Sequence, residues 1–242
     1  MVKHIEFIPC SEEASLLVSP PKPAKLYIPD WYKKIEPMRQ PEFAKNGDVS
    51  NKTIKNCMPF LDALTHGYIQ ETWTDIYIEA NDKGIEYYYA TKPEIMAHRE
   101  KSYFSVSDIY YPVEFVWKEP WVPKMPKGYS VLYTHPFNNF NLPFRSLDAV
   151  IDADHYYHAY GGQYPFYIHK GFSGLIPAGT PMYQIIPIKR ESWQTNISTY
   201  DEKQNMINNS ILKKHMFNSY KKEPVSYFLN FQPAFGVVLK LA

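Results

Sequence analysis

Apolar and polar positions in this chain fall into short runs rather than long helical stripes. From Tyr129 onward, GYSVLYTHP, LPFRSLDAVIDADHYY, QYPFYIHK and SGLIPAGTPMYQIIPIKRES follow one another, each aromatic or β-branched and each ended by Pro, Gly or Asn. That pattern predicts the strands of a sandwich or closed barrel. Upstream, VKHIEFIP predicts a first strand, and ETWTDIYIEA alternates through Trp73, Ile76 and Ile78 before NDKG turns it into IEYYYAT, the best hairpin signal in the chain. PVEFVWKEPWV reads as a further strand bent at Pro120. Between them, Thr53 to Ile69 reads as a cap, a short apolar stretch and a stop at Gly67. Pro20, Pro21, Pro23, Pro29, Pro37 and Pro41 deny the segment Ser19 to Pro41 both ladder donors and helix interior. An extended, irregular wrap is predicted there, with a short turn capped by Asp30 and anchored by Trp31. Helical spacing is clearest in Met206, Ile207, Ile211, Leu212, His215, Met216 and Tyr220, which predicts a helix from Thr199 or Asp201 to about Lys222, stopped by Pro224. SYFLNF and GVVLKLA then supply a final strand or docking tail.

The expectation is a mainly β protein. An antiparallel β-barrel or jelly roll occupies residues 117–193, an N-terminal α+β region of wrap, short helix and hairpin occupies 1–116, and one C-terminal helix with its tail occupies 194–242.

Composition sharpens this picture. Across 242 residues there are 21 Tyr and 21 Pro against 10 Gly, and 17% of residues are aromatic, which suits half-buried strands and proline-stopped loops. With 26 basic and 25 acidic residues the net charge is +1, so no whole-chain field draws in nucleic acid or an anionic membrane. The tyrosine runs carry few interleaved basic residues, which weakens a base-stacking reading and favours protein contacts. No stretch approaches the roughly 18 apolar residues of a membrane span. Cys10 and Cys57 lie in no metal-ligand spacing, and Met1 to Cys10 lacks a secretory apolar region. Two free thiols in a reducing compartment are expected, and the sequons at Asn51, Asn196 and Asn208 are then chance matches.

AVIDADHYY followed by FYIHKGFSGLIPAGTPMYQIIPIKR resembles the core hairpin of the trimeric dUTPase and dCTP deaminase superfamily. Val150, Ile151 and Asp152 match its V-I-D, and Gly179 with Gln184, Ile185, Ile186 and Pro187 match its closing strand. The resemblance covers about a fifth of the chain. It implies a barrel, a site between subunits, and Asp152 as the water-activating residue. Ala149 stands where the family has Gly, His155 with Tyr156 after it stands at the nucleoside-stacking position, and the family's glycine-rich phosphate arm is missing. GFSGLIPAGTPM is similar to the second cupin motif at Gly171, Pro177 and Gly179, with Met182 where that motif has a metal-binding His. IPDWYKK, NCMPFLDALTHGYI and GTPMYQIIPIKR together resemble an uncharacterised protein family of large tailed bacteriophages, which implies a phage-related origin and no activity.

The densest polar group is Asp148, Asp152, Asp154, His155 and His158. On a strand, Asp148, Asp152, Asp154, Tyr156 and His158 share a face, and His155 points to the other. Three readings stay open: a hydrated turn at a strand end, a water activated by Asp152, or a divalent metal held by Asp152, Asp154 and His158. Arg145, Asp154, His155 and Tyr156 are the candidate ligand contacts. His66, His135 and His169 read as structural. Three functions follow: a non-enzymatic phage-associated protein that self-associates or joins virion proteins, a nucleotide-processing enzyme or nucleotide binder of dUTPase-like fold, and a metal-dependent double-stranded β-helix enzyme. The expected location is the host cytoplasm or the virion.

Overall fold

Nearly every strand-length apolar run becomes a strand. The computed structural model describes residues 3–39, 52–81, 84–90, 92–99, 107–155 and 161–207. In chain order the strands are β1 (Glu6–Pro9), β2 (Lys22–Pro23), β3 (Tyr68–Glu71), β4 (Ile76–Asn81), β5 (Gly84–Tyr88), β6 (Met96–His98) and β7 (Phe115–Lys118). They continue as β8 (Trp121–Lys124), β9 (Tyr129–Thr134), β10 (Phe144–Ser146), β11 (Ala149–Ile151), β12 (Gln163–Ile168), β13 (Gly174–Ile176) and β14 (Pro181–Lys189). Helices α1 (Glu12–Leu17), α2 (Asp30–Lys34) and α3 (Met58–Thr65) lie between them, with 3-10 turns at Ala24–Tyr27 and Ile54–Asn56.

All these pairings are antiparallel. One sheet has the order β10-β12-β7-β6 and a second β11-β9-β14-β3-β2; β13-β4-β5 forms a third, and β1 pairs with β8. Among the described residues none of these sheets closes on itself, so the expected mainly β, antiparallel class holds without a closed barrel. The hairpin expected around NDKG is β4-β5, with Asn81 opposite Gly84. The bend expected at Pro120 separates β7 from β8.

One buried cluster joins the sheets. Trp117 and Phe166 stack at 3.7 Å with rings 4° apart, and Phe144 meets Trp117 edge-on at 5.1 Å. From the β9-β14 sheet, Val131, Tyr133, Tyr183 and Ile185 complete it. Each large apolar side chain buried in this way contributes about 1.5–3 kcal/mol. The Ser146 hydroxyl accepts from the Trp117 indole at 3.0 Å and donates to the Met182 carbonyl at 2.7 Å, which fixes strands of the two sheets to each other. Ile76, Ile78, Ile95 and Met96 belong to the same cluster, so the core draws on chain well before Trp117.

Residues 19–39 of the proline-rich stretch are more regular than the expected wrap: they hold the paired strand β2, a 3-10 turn at Ala24–Tyr27 and helix α2, with extended chain between them. Helix α2 starts at Asp30, but Asp30 does not cap it: the amides of Tyr32 and Lys33 donate to the Pro29 carbonyl, and the Asp30 carboxylate pairs with Lys33 at 3.0 Å. The preceding proline has already turned the chain, which leaves that carboxylate to the surface. Trp31 does act as an anchor, its indole donating to the Asn138 carbonyl at 3.2 Å. Helix α1 was not foreseen; Ser11 caps it by accepting from the Ala14 amide at 3.0 Å. Gly67 follows α3 at φ +71°, and a Cβ there would lie 2.2 Å from the Ile185 carbonyl oxygen, so the stop also seats the helix end on β14.

The chain divides into two compact units, residues 1–34 with 61–190, and residues 35–60 with 191–242. All strands named above lie in the first unit. In the second, Thr53 is tied back to Glu36 and Pro37, and residues 202–207 are helical, begun by Asp201 whose carboxylate accepts from the Gln204 amide at 3.1 Å. The rest of the expected C-terminal helix and its tail lie outside the described residues. No helix among the described residues is long and apolar enough to cross a membrane.

Candidate functional site

The strand-ending dipeptide Glu119-Pro120 places a carboxylate inside the fold. Glu119 is 5% exposed; its Oε1 accepts from the Tyr133 hydroxyl at 2.5 Å and the Tyr164 hydroxyl at 3.0 Å, and its Oε2 accepts from the Gly162 amide at 2.7 Å. The Glu119 amide returns the contact by donating to the Gly162 carbonyl at 3.1 Å. Such an approach needs glycine: Gly161 has φ +78°, and a Cβ on it would stand 2.3 Å from the Glu119 carbonyl oxygen. Tyr133 and Tyr164 stack at 4.1 Å, and Tyr183 packs 5.1 Å from Tyr164. The Tyr183 hydroxyl is buried with no hydrogen-bond partner among the described residues.

Glu119, Tyr133, Tyr164 and the Gly161-Gly162 pair form one side of a 390 Å³ pocket whose other walls include Arg99, Val122, Ile151 and Ala153. The size suits a small molecule. Arg99 is anchored by Glu114, Nη1 to Oε1 at 2.7 Å, with Glu114 fully buried and the Arg99 side chain about one-third exposed. Burial raises the Glu119 carboxyl above the ordinary carboxylate range, against the three hydrogen bonds that favour its ionised form. Burial and the nearby Glu119 charge push the Tyr133 and Tyr164 phenols well up, so both stay protonated donors. Burial and Glu119 also push the Cys10 thiol up to about 12, which removes it as a nucleophile at neutral pH. The pocket therefore offers a carboxyl able to give or take a proton, phenol donors, an anchored cation and apolar walls.

The aspartates singled out by the sequence fall in two places. Strand β11 ends at Ile151, and the chain turns after it, with Ala153 donating to the Ile151 carbonyl and His155 to the Asp152 carbonyl. Strand alternation therefore does not carry through to Asp154, which corrects the face expected to be shared by Asp148 and Asp154. Asp152 and Asp154 instead converge on Arg190, Asp152 at 2.9 Å from Nη1 and Asp154 in contact with Nη2. Ser130 donates to Asp152 at 2.6 Å, and the Gly128 amide donates to Asp154 at 2.6 Å. The Ser130 hydroxyl and then Arg190 hold the Asp152 carboxyl below its ordinary value, and the Arg190 hydrogen bond holds Asp154 down to about 2. His155 is an exposed neighbour, its Nε2 3.7 Å from Asp154. Asp148 lies apart, paired with Arg145 at 3.1 Å and accepting from Thr134 at 2.5 Å. Tyr156 and His158 lie outside the described residues. Among the described residues no group of three or more His, Cys, Asp or Glu is arranged to hold a metal ion.

Gln184, matched to the resembled closing strand, is buried and ties elements together. Its Oε1 accepts from the Phe137 amide at 2.9 Å, and its Nε2 donates to the carbonyls of Ala63 and His66 at 3.2 and 2.6 Å. Met182, at the cupin metal position, is fully buried.

Glu119, Tyr133 and Tyr164 were passed over in the sequence. Two signals pointed to them: an acid in the aromatic, β-branched run FVWKEPWV, and the adjacent Gly161-Gly162 pair. No protein-family model and no curated protein matches the chain.

Proposed function

We propose that this chain is a small-molecule-binding β protein that holds a planar, hydrogen-bonding ligand of nucleobase type in the Glu119 pocket. The observation that carries this reading is the buried carboxyl held by two phenols and a backbone amide in the wall of a 390 Å³ pocket. Burying such a group costs several kcal/mol unless it is compensated, and a ligand that completes its hydrogen bonds offsets part of that cost. Ile151 and Ala153, from the segment resembling the dUTPase-like hairpin, line the same pocket, which supports a ligand site and a jelly roll of that type. Asp152, the water-activating candidate of that resemblance, is engaged by Arg190 and Ser130, so binding is favoured over turnover.

The test is thermal unfolding of the full chain against a panel of nucleobases, nucleosides and nucleotides, with and without Mg²⁺. A ligand at a hundred times its Kd adds about 2.7 kcal/mol, a rise of roughly 5–10 °C for a chain of this size. Glu119→Gln should abolish most of that rise. A Tm unmoved by every member of the panel would remove this reading.

A second reading, a self-associating phage protein of the host cytoplasm or virion, is favoured by one observation. Leu175, Tyr77 and Tyr88 lie opposite one another across β13, β4 and β5, each about half exposed, and β5 is an edge strand of its sheet among the described residues. An apolar row beside an open edge is a natural pairing surface. Light scattering should show a dimer or larger assembly that Tyr77→Glu dissociates; a monomer at high concentration would sink it.

A further inference from the structure

A second recess lies away from the Glu119 pocket and has two adjoining compartments, of 420 and 700 Å³, that share Phe140, Leu142 and His169. Phe140 stands between them with 73% of its surface exposed. Water penalises so large an exposed ring, yet this one is braced. Trp31 packs against it at 5.6 Å, and the Trp31 indole holds the Asn138 carbonyl beside it, with Asn138 itself at φ +55°.

The loop under the ring is fixed from within. His135 accepts from the Ser146 amide through Nδ1 at 3.3 Å and donates through Nε2 to the Asn139 carbonyl at 3.3 Å. Both ring nitrogens are used as in a neutral imidazole, and burial holds its pKa down to about 4. One wall carries Arg145 and Asp148 side by side at 3.1 Å, a donor and an acceptor locked together, since Asp148 is also held by Thr134 and by the His135 amide. Another wall carries Tyr110 packed on His169 at 4.8 Å.

The charges in the first compartment cancel, Arg145 against Asp148 with His135 neutral, and a phosphate chain passing there would meet the Asp148 carboxylate. Adjacent hydroxyls on a sugar ring are each donor and acceptor and match a guanidinium beside a carboxylate. The C–H face of a pyranose matches an exposed aromatic ring. We infer that this recess binds a neutral oligosaccharide, with Phe140 as the stacking platform and the Arg145–Asp148 pair reading two adjacent hydroxyls. The second compartment, lined by Lys170, Phe172 and Thr180, gives room for further sugar units.

The test applies the full chain to a printed array of neutral oligosaccharides, with a (dT)12 oligonucleotide as the competing class. The wild type should retain one or more glycans, and Phe140→Ala and Arg145→Gln should each weaken the best by about tenfold or more. Phe140 is exposed, so its variant should keep the wild-type melting profile. Glu119→Gln should leave glycan binding intact, which separates this site from the other pocket. Retention of no glycan, glycan binding indifferent to Phe140→Ala, or Phe140-dependent binding of (dT)12 alone would each overturn the inference.

Discussion

Glu119 makes this chain's response to pH run partly opposite to the usual carboxylate rule. Burial raises its folded value above the ordinary 4.5, so between those two values the native state keeps a proton that the unfolded chain has released. The stability tied to that proton is full below the interval and is lost as pH rises through it. Asp154 acts in the other direction: held down to about 2 from an ordinary 3.8, it stabilises above 3.8 and loses that contribution as pH falls toward 2. Urea midpoints measured against pH should therefore show a decline as pH rises above 4.5 that is flattened in Glu119→Gln, and a decline as pH falls below 3.8 that is reduced in Asp154→Asn. Equal slopes in wild type and Glu119→Gln would mean that Glu119 titrates normally. At this scale the sequence revealed the aspartates but not the glutamate. Asp152 and Asp154 are conspicuous because they crowd a turn. Glu119 is made special by Tyr133, Tyr164 and Gly162, which lie 14, 45 and 43 residues away and are brought to it only by folding.

At the scale of elements, glycine positions with similar backbone angles carry different loads. Gly161 and Gly128 have φ +78° and +85°, but a Cβ on Gly161 would strike the Glu119 carbonyl, whereas nothing lies within 4 Å of one on Gly128. Gly128→Ala should cost about 1 kcal/mol from the left-handed conformation alone. Gly161→Ala should cost about 3 kcal/mol or more, because β12 must also move away from the β7–β8 bend. Chemical denaturation of the two variants measures both, and equal losses would show that the close approach at Gly161 is easily relaxed. Strands were readable because Val131, Tyr133, Ile185 and their neighbours alternate or cluster within a few residues. Helix α1 was hidden: its Ser11 cap and acidic first turn are present, but six residues are too few for a helical period to show.

For the whole molecule, much of the aromatic richness that helped predict a mainly β chain lies in a core drawn from several sheets. The division at Trp117 was invisible to packing, because Ile76, Ile78, Ile95 and Met96 are sealed in the same cluster as Phe115 and Phe166. Purified protein should not hydrolyse dUTP or deaminate dCTP above background. The sequence shows no glycine-rich arm to cradle a triphosphate, and loss of one oriented donor alone can cost about a hundredfold or more in rate. A coupled pyrophosphate assay and product chromatography check this, and turnover abolished by Asp152→Asn with the fold intact would establish an enzyme.

The reciprocal clasp between Glu119 and Gly162 also bears on ancestry. The carboxylate accepts from β9, from β12 and from the Gly162 amide just before β12, and Gly161 beside Gly162 has no room for a Cβ, so a change on one side of the clasp should require a change on the other. Distant cousins of this chain should be recognisable by a Glu-Pro at the end of one aromatic strand and a Gly-Gly at the start of another, with 43 residues from Glu to the second Gly here, even where every surface loop has drifted beyond alignment.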